Sequence, residues 1–118
     1  MTKLSVKDLP RESASLREIQ KYVAALTADR GFSMDVNEEF ILLTEEIGEL
    51  AKALRKFNGY KFDTKTHETN LREEFADVLI VLLGLANITE IDMYAALIEK
   101  EKINLSRRWN IVKDKEEN

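Results

Sequence analysis

Cysteine is absent from this chain of 118 residues. Disulfides, thiolate metal sites and cysteine nucleophiles are therefore excluded, and a reducing, cytoplasmic setting is expected. Proline occurs once and glycine four times, so little interrupts a helix. There is no block of basic residues and the formal net charge is -4, which points away from DNA or RNA as a partner. The longest strongly apolar run, VLIVLLGLA, is nine residues long. A membrane span needs about 20, so the run reads as a core helix and no membrane association is expected. The opening MTKLSVKDLPRES has no apolar stretch of the kind a secretory signal needs.

What remains is rich in helix formers: 44% hydrophobic and 34% charged residues, a balance that suits one soluble domain with a modest core. The expected domain spans residues 1–118, with its core over about 12–109 and a charged tail at 110–118. Four helices are legible. The first opens at Ser15, where Ser15 and Glu18 form a capping box. It carries Leu16, Ile19, Val23 and Leu26 at helical spacing and stops near Gly31. The second starts near Asp35 or Asn37 and ends at Asn58–Gly59, with an apolar seam of Phe40, Leu43, Ile47, Leu50, Leu54 and Phe57. Residues 58–70, NGYKFDTKTHETN, read as a loop of the length that often overlies a binding site. Its His67 reads as solvated. The third helix begins at Asn70, paired with Glu73 as a second capping box, and reaches about Ile88. The fourth follows a short turn capped by Thr89 or Asp92 and runs from Met93 to about Trp109, leaving KDKEEN outside. From Val78 onward the third helix is apolar nearly all round, more than a 118-residue monomer can cover. The expected fold is thus an all-α four-helix bundle completed by homo-oligomerisation, with a dimer as the basic unit.

Two acidic groups border the apolar faces. In TEEIGELAKALRK, Glu46 and Glu49 lie about 60° apart on the helix and share a stripe with Leu42 and Ala53, while Glu45 lies about 40° from Glu49. In REEFADVLIVLLGLA, Glu74 and Asp77 are i,i+3 neighbours whose stripe continues through Val81, Gly84 and Ile88. Charges beside a packed surface are costly unless paired or bound to metal. If helices two and three pack antiparallel, the pairs converge. Oxygen ligands without histidine or thiol suit a hard cation, magnesium first and manganese second. The plainer reading of each group taken singly is a solvated helix face, and Glu73 is explained by its capping position.

The last helix carries Lys100, Asn104 and Arg107 in one row, away from its apolar Tyr94, Ile98, Leu105 and Trp109. Such a row can cradle phosphates; cations near a helix C-terminus are also what the macrodipole favours on ordinary surface. Phe32, after Gly31, either stacks on a base or staples the start of the second helix.

E-E-I-G-E at Glu45–Glu49 and E-F-A-D at Glu74–Asp77, 24 residues apart, together with K-x-x-x-N-x-x-R at Lys100–Arg107, resemble the MazG-like all-alpha nucleoside triphosphate pyrophosphohydrolases, relatives of dCTP pyrophosphatase and phosphoribosyl-ATP pyrophosphatase. The resemblance covers about residues 12–109. It implies hydrolysis of a (d)NTP between the α and β phosphates to the monophosphate and pyrophosphate, as nucleotide-pool house-cleaning. It also implies tight dimers, often dimers of dimers. Magnesium would sit on Glu46, Glu49, Glu74 and Asp77, Glu45 would orient or deprotonate the attacking water, and Lys100, Asn104 and Arg107 would hold the distal phosphates. Phe32 is the one aromatic near the position where some deoxycytidine-specific relatives carry tryptophan and histidine. The rival expectation is a catalytically silent helical oligomer acting as a binding or regulatory module. A carboxylate-bridged di-iron bundle would need Glu-x-x-His pairs, which this sequence lacks.

Overall fold

The computed structural model describes residues 3–59 and 71–117, with side chains through Arg107. A single 3-10 turn at Val6–Asp8 precedes α1 (Leu16–Asp29), α2 (Val36–Phe57), α3 (Leu71–Ile88) and α4 (Met93–Glu117). No strand occurs among the described residues.

The helix starts follow local chemistry. The Ser15 hydroxyl accepts from the Glu18 amide and the Asp35 side chain accepts from the Glu38 amide, each satisfying an orphan N–H of a first turn. Asp92 does the same for α4, accepting from Tyr94 and Ala95. Arg17 holds that carboxylate with a 2.6 Å bond and lies over the Tyr94 ring; the bond from Arg17 keeps the Asp92 carboxyl below its usual range. Past α1 and α2, Gly31 and Gly59 take left-handed backbone angles (φ +67° and +85°), which only glycine adopts without strain. Asn70 and His67 lie outside the described residues. The charged tail expected to fall outside α4 instead continues it to Glu117: lysine and glutamate are good helix formers and no glycine or proline intervenes.

The α2–α3 pair is the main packing unit. Its direction follows from the residues that meet: Glu46 faces Glu74 and Asp77, while Glu39, about two turns before Glu46, reaches Gly84, about two turns after Asp77. The helices are therefore antiparallel. α1 packs on α3 through Val23, Leu26 and Leu83, with Ile19, Tyr22, Ile80 and Met93 around them. Gln20 pins the α3–α4 turn to α1. Its amide donates to Asn87 Oδ1 (3.0 Å) and to the Ile91 carbonyl (2.7 Å), and its oxygen accepts from the Met93 amide (2.9 Å).

One expectation about packing fails within the single chain. Of the apolar seam of α2, only Leu43 is buried and Leu50 half-buried; Phe40, Ile47, Leu54 and Phe57 are exposed. The inward face is the neighbouring stripe of Glu39, Leu42, Leu43, Glu46, Leu50 and Ala53. Phe75 and Leu79 of α3 are likewise exposed. The radius of gyration is 18.7 Å, where a compact chain of this length has about 13 Å.

Candidate functional site

Antiparallel packing brings together the two acidic groups that the sequence separates. Carboxylate oxygens of Glu46, Glu74 and Asp77 lie within 4.8 Å of one another. Glu74 is buried at 8% exposure, Glu46 is half-buried and Asp77 is exposed. The triad therefore has one wall in the protein and one open side. Glu45 and Glu49 are exposed; Glu49 stands outside the tight triad, but its charge is felt at both Glu46 and Glu74.

Burial, first, and then the charges of Asp77, Glu74, Glu49 and Glu45 push the Glu46 carboxyl above the usual carboxylate range. Glu74 is raised by burial and then by Asp77, Glu49 and Glu73. Among the described residues, every cause given for these two shifts raises the carboxyl. A set of carboxylates with no nitrogen or sulfur donor is the ligand chemistry of a hard divalent cation, and the residues fit such an ion.

This has a pH consequence. A carboxyl whose folded pKa is raised binds more protons in the folded state than in the unfolded one, so stability falls as pH rises. In EDTA the melting temperature is expected to drop as pH rises from the ordinary glutamate range through the raised values of Glu46 and Glu74. Excess magnesium should flatten that drop by neutralising the cluster. A melting curve series with and without the ion checks both, and an identical pH slope in each would count against cation binding here.

Beside the triad opens a pocket of about 290 Å³, lined by Thr27, Phe32, Glu39, Leu42, Glu46 and Asp77 among others. Phe32 thus stands on the wall of a cavity that the triad also borders. Glu39 is the residue that sequence reasoning missed. It is 5% exposed, and its carboxyl is raised by burial and then by the Glu38 charge. A glutamate in the first turn of a helix ordinarily serves the macrodipole; the available signal was its i,i+7 spacing from Glu46, which puts both on one face.

The basic row is elsewhere in the chain. Lys100, Asn104 and Arg107 are exposed on α4, and Asn104 donates weakly to Glu101 at 3.5 Å. α4 packs on α1 and leaves α3 at 97°, from the end of α3 about 16 Å beyond Asp77 by helical rise. A single chain therefore does not join the row to the acidic triad. Trp109 lies beyond the described side chains. Among the described residues no single helix is long and apolar enough to cross a membrane.

The sequence matches the family model of the MazG nucleotide pyrophosphohydrolase domain over residues 38–105. No curated protein sequence matches the chain significantly. The family match takes in both acidic groups and most of the basic row, and covers more than half of the chain.

Proposed function

As a member of the MazG nucleotide pyrophosphohydrolase family, the chain is, we propose, a magnesium-dependent hydrolase that cleaves nucleoside triphosphates between the α and β phosphates. The observation that carries the reading is the convergence of Glu46, Glu74 and Asp77 beside a pocket of nucleobase size. Glu46, Glu49, Glu74 and Asp77 would hold magnesium, with manganese as a substitute; when bound, the ion polarises the phosphate and makes its water more acidic. Glu45, next to the cluster on α2, orients the attacking water and takes its proton. Water adds to the α-phosphorus, the bond from that phosphorus to the bridging oxygen breaks, and pyrophosphate leaves with the electron pair. Lys100, Asn104 and Arg107 would neutralise charge on the β and γ phosphates, and Phe32 would stack on the base. A role in clearing unwanted nucleotides from the pool fits such a reaction.

The reading includes a homo-oligomer. The exposed Phe40, Ile47, Leu54, Phe75 and Leu79 form apolar surface on the very helices that carry the acids, and a chain that extended has too small a core of its own. A second copy would cover that surface and could supply the basic row that one chain keeps apart from its acids.

Product analysis tests the reaction. Each NTP and dNTP is incubated with the protein in magnesium or in EDTA, and products are resolved by ion exchange. Monophosphate and pyrophosphate, formed only with magnesium, are expected. Diphosphate with orthophosphate would replace this reading with a different phosphohydrolase, and no turnover of any nucleotide would favour a silent binding module.

A further inference from the structure

Glu39 is a carboxylate that the hydrolytic machinery does not use. It lies seven residues before Glu46, about 10 Å away along the same face of α2. That separation removes it from the cation cluster but keeps it in the same pocket. A methyl group on Gly84 would lie 3.9 Å from Glu39 Oε2, Thr27 Oγ1 and Val23 Cγ1, so the carboxylate and the Thr27 hydroxyl both border the Gly84 position of α3.

Although Glu39 is 5% exposed, its carboxylate has no hydrogen-bond or ion-pair partner among the described residues. Arg30, a cation on the pocket wall, makes no ion pair with it. No sealed side-chain polar atom there lacks a partner, so the Glu39 oxygens keep an opening, and Glu39 lines the pocket. Burying such a group without a partner is unfavourable. The Thr27 hydroxyl spends its proton on the Val23 carbonyl at 2.7 Å, leaving only acceptor capacity. Glu39 and Thr27 therefore present hydrogen-bond acceptors to a pocket whose apolar wall is Phe32, Leu42, Ile80 and Val81, with Arg30 also on its lining and Glu46 and Asp77 at the triad. A flat apolar group bearing N–H donors is the complement.

We propose that Glu39 reads the nucleobase, its carboxyl oxygen accepting from an exocyclic amine, so that amino-bearing bases are taken in preference to their oxo counterparts. The inference rests on the nucleotide-hydrolase reading for the orientation of the ligand, with phosphates at the triad and base toward Glu39. The ionised carboxylate has only accepting oxygens, and the preference belongs to that form. An oxo base places a carbonyl against such an oxygen, leaving two acceptors face to face and unpaired, which is how a polar site rejects an analogue.

The test uses nucleoside 5′-monophosphates, whose binding needs no turnover. Dissociation constants for the pairs dCMP and dUMP, and dAMP and dIMP, are measured for the parent and for Glu39→Leu by equilibrium dialysis. In at least one pair the amino member should bind the parent roughly tenfold or more tightly, the scale of one hydrogen bond to a charged group, and Glu39→Leu should bring that ratio close to one. Glu39→Gln, whose amide can present either an oxygen or an N–H donor, should lower the ratio by admitting the oxo member of each pair. Melting of Glu39→Leu supplies an independent readout: removal of an unpartnered buried acid should raise the melting temperature, whereas loss of a structural contact would lower it. A preference that survives in Glu39→Leu overturns the proposal. So does a parent that shows no preference in either pair, or binds no monophosphate at all, whether or not triphosphates are hydrolysed. Hydrolysis of triphosphates without base preference would leave the pyrophosphohydrolase reading standing while this one falls.

Discussion

Asp77→Asn is expected to lose nucleotide hydrolysis by on the order of 10³-fold or more, because bound metal supplies several kcal/mol of charge stabilisation at the transition state. The same change should make the metal-free protein more stable. Asp77 raises the carboxyls of both Glu46 and Glu74, and an amide of equal shape removes that repulsion. Asp77 is exposed, so screening limits the gain to about 1 kcal/mol, a few degrees in melting temperature for a chain of this size. Magnesium should stabilise the parent and do so much less in the variant. Steady-state rates and melting curves in magnesium and in EDTA read all three effects. The opposed signs are what separate this from ordinary damage: a variant that is inactive and also less stable in EDTA would mean that Asp77 supports the fold rather than the ion. Glu49→Gln should behave alike in rate, since Glu49 acts on the same two carboxyls.

The triad was legible in the sequence because its signal is a stripe. Glu46 continues the line of Leu42 and Ala53, and Asp77 that of Val81 and Gly84, so two helices packed antiparallel had to bring the acids to one level. The caps at Ser15, Asp35 and Asp92 were legible because each is a short-range hydrogen bond. What could not be read was which face of α2 turns inward. Phe40, Ile47 and Leu54 carry the stronger apolar signal, yet α3 takes the stripe beside them. Hydrophobic periodicity marks a face that wants cover; it does not say whether the cover comes from the same chain. Glu39 was hidden for a related reason, since its burial comes from α1 and Gly84 of α3, over forty positions away in the sequence for the latter. The reach of α4 to Glu117 was missed because a charged tail carries no apolar pattern, although its residues are good helix formers.

The outward seam also carries the second large effect. If the basic row of one chain serves the acids of another, the two halves of the site can be broken in different chains and recovered by mixing. Asp77→Asn and Arg107→Ala should each be nearly inactive alone at low substrate. In a symmetric dimer with shared sites, a mixed pair has one site with both defects and one with neither. Random exchange of subunits should then restore about a quarter of the parent activity. The prediction follows from where α4 goes: it rests on α1 and leaves α3 at 97° from the end opposite the acids, so Arg107 and Asp77 of one chain are carried apart. Arg107→Ala should also weaken triphosphate binding more than monophosphate binding, because a guanidinium on the distal phosphates has nothing to hold in the product. The measurement is activity of co-refolded or co-expressed mixtures against the sum of the separate variants. Activity no greater than that sum, in a mixture whose heterodimers are verified by mass, would assign acids and cations to one chain. The exposed Phe40, Ile47 and Leu54 would then be an interface that supports the active site without completing it.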